Sequence, residues 1–131
     1  MTNDKKRNIT EEDMRECVKT VTTALVDQRA SDVEVLHVSK FTTMADYFII
    51  CTGSSVTHIR ALSEAAERSM EETHGIRPHH IEGYGTASWV LVDFGFMVVH
   101  IFHRDTRQFY SLERLWSDAP VSNISSGQEN G

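Results

Sequence analysis

The run Tyr47-Phe48-Ile49-Ile50-Cys51 constrains this chain more than any other stretch. A strand with water on one side alternates apolar and polar residues, and this one does not alternate. It predicts a central strand covered on both faces. Gly53-Ser54-Ser55 ends the strand, and a helical pattern begins at once. The chain must therefore supply helical layers as well as neighbouring strands.

The flanking patterns supply them. Thr10 is placed to cap a helix whose first turn carries Glu11, Glu12 and Asp13, acids that suit the positive end of a helix. Met14, Cys17, Val18, Val21, Ala24 and Leu25 recur at spacings of three and four, which predicts a helix over 11–29. Val33–Val38 predicts a strand, and 39–46 a polar connection. After Ser55, Ile59, Leu62, Ala66 and Met70 form an inner stripe. Arg60, Glu64, Arg68 and Glu72 form an outer ladder of i,i+4 charges, and Gly75 stops the helix.

Residues 76–82 contain Pro78 and predict a loop or short edge strand, with Gly83 and Gly85 as turn positions. Ser88–Val92 and Phe96–Phe102 flank Asp93-Phe94-Gly95, the clearest hairpin in the chain. Asp105 and Gln108 resemble a capping box before a short helix with Phe109, Leu112, Leu115 and Trp116, ended by Pro120. The order α-β-β-α-β-β-β-α predicts an α/β fold: a single domain with a mixed sheet of about five strands flanked by helices. Residues 1–9 form a flexible lead, 10–120 the domain, and 121–131 a flexible tail.

Charge and composition narrow the function. At 131 residues and 40% hydrophobic the chain can bury a core without staples. No apolar run approaches the ~18 residues that span a bilayer, so no membrane role is expected. Thirteen basic against 19 acidic residues give −6. Such a chain repels phosphate backbones; little or no direct nucleic-acid contact is expected, and a basic protein partner suits it better. Two cysteines, Cys17 and Cys51, make neither a disulfide framework nor a metal motif. Together with the lack of an apolar segment after the first residues, they indicate a cytoplasmic protein with reduced thiols.

Four constellations could carry chemistry. Gly53-Ser54 between strand and helix would present backbone N–H groups to an anion, as in nucleotidyltransferases. That chemistry also needs paired carboxylates for metal ions, and nothing downstream of Ser55 has the spacing. Asp93 is alone, and Asp32-Val33-Glu34 precedes the turn. A plain turn and helix cap is the stronger reading. Among the seven histidines, His100 and His103 lie on one strand, and their spacing puts them on opposite faces. His79-His80 is a loop pair lacking companions. No metal site and no cofactor is expected, and His100, between Val99 and Ile101, is the histidine of interest. Cys51, within an apolar strand, reads as inert packing rather than a nucleophile. Last, Trp89 and Leu91 share one strand face and Val90 and Val92 the other. Either the strand is buried between two layers, or one face docks a protein, with Tyr84 and Trp89 as anchors.

Longer motifs now stand out. Ala45-Asp46-Tyr47-Phe48-Ile49-Ile50-Cys51-Thr52-Gly53-Ser54-Ser55, with His58 and Ala61-Leu62, resembles the first signature of the ribosomal silencing factor (Iojap) family. Glu82-Gly83 and Ala87-Ser88-Trp89-Val90-Leu91-Val92-Asp93-Phe94-Gly95 resemble the second. Val98-Val99-His100-Ile101-Phe102, Arg107, Phe109-Tyr110, Leu112-Glu113, Leu115-Trp116 and Asp118-Ala119-Pro120 resemble the third. The likeness runs in register over about residues 13–120.

The resemblance implies a nucleotidyltransferase-like fold without catalytic carboxylates, hence no enzyme activity and no catalytic residues. It implies binding to the large ribosomal subunit through ribosomal protein number fourteen, which hinders joining of the small subunit and represses translation. It places Trp89, Leu91, Asp93 and His100 at the contact, with Glu82 and Tyr84 at its border. The family often carries an acidic residue where this chain has Phe96; if that position touches a basic partner, one charge contact is missing. A small nucleotidyltransferase and a large-subunit assembly factor stand as the alternatives, and a homodimer of the free chain is left open.

Overall fold

A computed structural model describes residues 9–107 and the backbone of 121–124. Helix α1 spans Glu11–Asp27, capped by the Thr10 hydroxyl, which accepts from the Asp13 N–H at 3.0 Å. Strand β1 is Ser31–His37 and β2 is Tyr47–Gly53. Helix α2, Val56–His74, starts on the Ser55 side chain and ends at Gly75, whose φ of 68° is the left-handed cap glycine tolerates best. Next come β3 (His80–Glu82), β4 (Trp89–Asp93) and β5 (Met97–His103). A single turn, α3 (Arg104–Arg107), and β6 (Val121–Ile124) complete the described elements.

The sheet is mixed, in the order β3-β4-β5-β2-β1-β6. Every residue of β2 is buried, as its unbroken apolar run predicts. β2 lies parallel to β5 and antiparallel to β1, so the chain between β2 and β5 crosses over through α2. The sheet has six strands rather than about five. β6 falls where the flexible tail is predicted, and it pairs antiparallel with β1 from Val121↔Leu36 to Val33↔Ile124. A buried strand such as β1 exposes a row of unpaired backbone groups at its outer edge, and chain of modest propensity can satisfy them. The short helix predicted around 109–116 lies outside the described residues, as does most of the lead.

Alternation sorts the side chains into two faces. Tyr47, Ile49, Cys51, Met97, Val99 and Ile101 pack with Val21 and Leu25 of α1 and Ile59, Leu62, Ala66 and Met70 of α2. The other face gathers Leu36, Val38, Phe48, Ile50, Val98 and Phe102, with Trp89 and Leu91 packed against them. No described helix is long and apolar enough to cross a membrane.

Candidate functional site

The Gly53-Ser54 turn is occupied by the chain itself. A side chain at Gly53 would place its Cβ 2.6 Å from Ile59 Cγ1, so glycine is there for close packing of strand on helix. The Ser54 N–H donates to His58 Nδ1 at 3.0 Å, and the His58 N–H donates to the Ser55 hydroxyl at 3.0 Å. With Nδ1 accepting, Nε2 carries the proton and donates to the Gln28 carbonyl at 2.7 Å. The Ser54 and His58 N–H groups are thus used within the turn, and the His58 ring ties the start of α2 to the end of α1. Of the carboxylates, Glu34 lies 3.7 Å from Arg107, whose guanidinium also donates to the Thr52 hydroxyl beside the turn, and Asp93 pairs with Val98 at the end of the sheet remote from Gly53, which pairs with His103. Among the described residues no three His, Cys, Asp or Glu side chains come together as metal donors.

Both thiols are free and buried. Burial pushes Cys51 up to about 12 and Cys17 up to about 11, the latter helped by Asp13 and Glu16. His100 and His103 occupy opposite faces of β5, so they form no pair.

The β3-β4-β5 end of the sheet brings most of the predicted docking residues together. Register sets this out: Glu82 pairs with Leu91, Leu91 with His100, and Trp89 with Phe102. Residues paired across strands share a face. Trp89, Leu91, Asp93, Glu82 and His100 therefore lie on the face opposite the two long helices. Trp89 stacks on Phe102 with ring centroids 4.9 Å apart. Its indole N–H donates to His100 Nδ1 at 3.2 Å. Phe48 meets the same imidazole edge-on at 4.8 Å. His100 is buried, and this burial lowers its pKa to about 4 against a smaller opposing pull from Asp93. It is therefore neutral, as a Nδ1 acceptor must be. Its Nε2 has no hydrogen-bond partner among the described residues.

Trp89 and Leu91 are half-buried, so β4 is neither a plain core strand nor a bare surface. Their packed sides rest on the sheet and the remainder faces out. Asp93 and Glu82 give this patch an acidic border. His80, read as a loop residue in sequence, joins them: its Nε2 is 3.0 Å from Glu82 and 3.7 Å from Asp93. Only the strand β3 reveals that His80 and Glu82 alternate onto one face.

Tyr84 does not join the patch. Its hydroxyl donates to Glu64 on α2, and the Arg60 guanidinium lies 5.5 Å from its ring centroid. Arg60 and Glu64 thus face the 83–88 connection. Phe96 is buried in the helix-side core, and its carbonyl accepts from the Asp46 and Tyr47 N–H groups. A residue at that position is core here, and no charge could be placed there cheaply.

In sequence and in fold the chain resembles known proteins. Residues 11–130 match the family model described as ribosomal silencing factor during starvation. The chain is 40% identical over 110 residues to a ribosomal silencing factor RsfS of Bacillus subtilis, covering 84% of this chain and 92% of that one. It is 33% identical over 95 residues to a mouse protein named mitochondrial assembly of ribosomal large subunit protein 1, covering 71% of this chain and 42% of that one. A crystal structure of a Chromobacterium violaceum protein superposes with a TM-score of 0.76 at 30% identity, covering 87% of this chain and 95% of that one.

Proposed function

The chain belongs to the ribosomal silencing factor family, and we propose that it docks on the large ribosomal subunit through ribosomal protein number fourteen and blocks joining of the small subunit. The observation that carries this is the patch of Trp89, Leu91 and His100 bordered by Glu82 and Asp93. An indole already fixed by a stack and a hydrogen bond loses little freedom on docking. The acidic border suits a basic ribosomal protein, and at −6 the whole chain would be drawn to one. A body of 14.9 kDa on the intersubunit surface obstructs sterically and needs no catalytic group.

The chain acts as a non-enzyme in the cytoplasm. The self-satisfied Ser54 turn supports the first point. A role in large-subunit assembly is the second reading, favoured by the printed name of the mouse relative. Both roles use the same docking patch.

Co-sedimentation with separated subunits tests the proposal. The protein is expected to pellet with large subunits and not with small ones, and to inhibit their joining in a light-scattering assay. Pelleting with small subunits alone, or with neither at modest salt, refutes it. Binding to large subunits without any effect on joining transfers support to assembly.

A further inference from the structure

We propose that Arg60 of α2 is a positioning residue for docking: it clamps the connection between β3 and β4 and so sets the geometry in which Trp89 is presented. This rests on the docking reading above.

The connection runs from Gly83 to Ser88, and all of it is exposed except Ala87. A loop with so few buried contacts opens locally at little cost. Arg60 counters this with the Nε–Nη2 edge of its guanidinium. Its Nε donates to the Tyr84 carbonyl at 3.1 Å, and its Nη2 donates to the Gly85 carbonyl. The same guanidinium lies over the Tyr84 ring, while Glu64, one helical turn on, accepts from the Tyr84 hydroxyl. One tyrosine is therefore gripped at its backbone, its ring and its hydroxyl by a single face of α2. A planar guanidinium bonds two successive carbonyls and covers a ring in one pre-organised geometry, which the flexible point charge of a lysine does less well.

The clamp transmits to Trp89 through backbone. The Ala87 N–H donates to the Gly83 carbonyl at 2.9 Å and closes the loop. Gly83, at φ 81°, lies so near the strand that a Cβ there would sit 2.2 Å from the Trp89 carbonyl oxygen. The His103 N–H donates to the Ser88 carbonyl at 2.9 Å, which ties the exit of the loop to β5. Arg60 thus holds one side of the loop, and the other side rests on the backbone of the docking tryptophan.

Electrostatics and positioning predict opposite signs. Removing a cation from an acidic protein should strengthen its attraction to a basic partner. Releasing the loop lowers the fraction of molecules with Trp89 in place, and apparent affinity falls by that fraction. We expect Arg60→Gln to weaken binding to large subunits roughly five- to tenfold. The indole ¹H–¹⁵N resonance of Trp89, identified as the signal missing from Trp89→Phe, should shift or broaden. Arg60→Lys should recover only part of the loss, and Tyr84→Phe, which keeps the ring and drops the Glu64 bond, should lie between wild type and Arg60→Gln. Wild-type or tighter binding by Arg60→Gln together with an unmoved Trp89 indole signal overturns the inference. If instead Trp89→Ala binds as wild type, the docking reading itself has failed. The indole signal of Arg60→Gln then still decides whether Arg60 places Trp89.

Discussion

The indole N–H of Trp89 donates to Nδ1 of His100 across adjacent strands, at 3.2 Å. The bond makes a half-exposed tryptophan and a buried neutral histidine one unit. Neither can be altered without disturbing the other.

Trp89→Ala should therefore show in two measurements. Large-subunit affinity should fall by about 2 kcal/mol, roughly thirtyfold. Stability should also fall, by about 1–3 kcal/mol, less than for a fully buried tryptophan because only part of the ring is packed. Trp89→Phe keeps the stack on Phe102 but leaves the buried Nδ1 of His100 without its donor, so it too should melt below wild type. Unchanged co-sedimentation of Trp89→Ala would remove Trp89 from the contact.

Acid should destabilise the protein through His100. Its folded pKa of about 4 lies below the 6.5 of an unfolded histidine, so folding favours the neutral ring. The associated stability is complete above about pH 6.5 and is lost as pH falls toward 4, to a total on the order of 3 kcal/mol. Urea denaturation at several pH values, compared with His100→Gln, reads this directly. An identical pH slope in both proteins would show that His100 does not titrate as its burial dictates.

The acidic border should act on association. Asp93 Oδ1 accepts from the Gly95 N–H at 2.7 Å, and an asparagine oxygen can keep that turn. Glu82→Gln with Asp93→Asn therefore removes charge and little structure. Rim charges act mainly on the association rate. The double variant should bind several-fold more slowly at low salt, and the difference should shrink as salt screens it. A change confined to dissociation and insensitive to salt would contradict this.

No nucleotide should bind at the Ser54 turn. Each nucleoside triphosphate with Mg²⁺ should leave the melting temperature unchanged and yield no product. Turnover that is lost in Ser54→Ala would reinstate an enzyme.

Much of this molecule was legible from local pattern. The uninterrupted apolar run at 47–51 could only be a doubly covered strand, and the three-four spacing in α1 and α2 named the residues that cover it. Gly75 and Thr10 announced their helix ends because their conformations and hydroxyl chemistry are local properties. Alternation also placed Trp89 with Leu91 and separated His100 from His103. What sequence could not supply was pairing across strands. The meeting of Trp89 with His100, and of His80 with Glu82 and Asp93, depends on register, which the fold sets. Arg60 and Tyr84 show the same limit. By spacing Arg60 belongs to a solvent ladder with Glu64, and Tyr84 reads as a docking aromatic. Only the packing of α2 beside the 83–88 connection turned both toward each other. β6 likewise formed because β1 had an edge to satisfy, a demand that no residue in Val121–Ile124 encodes.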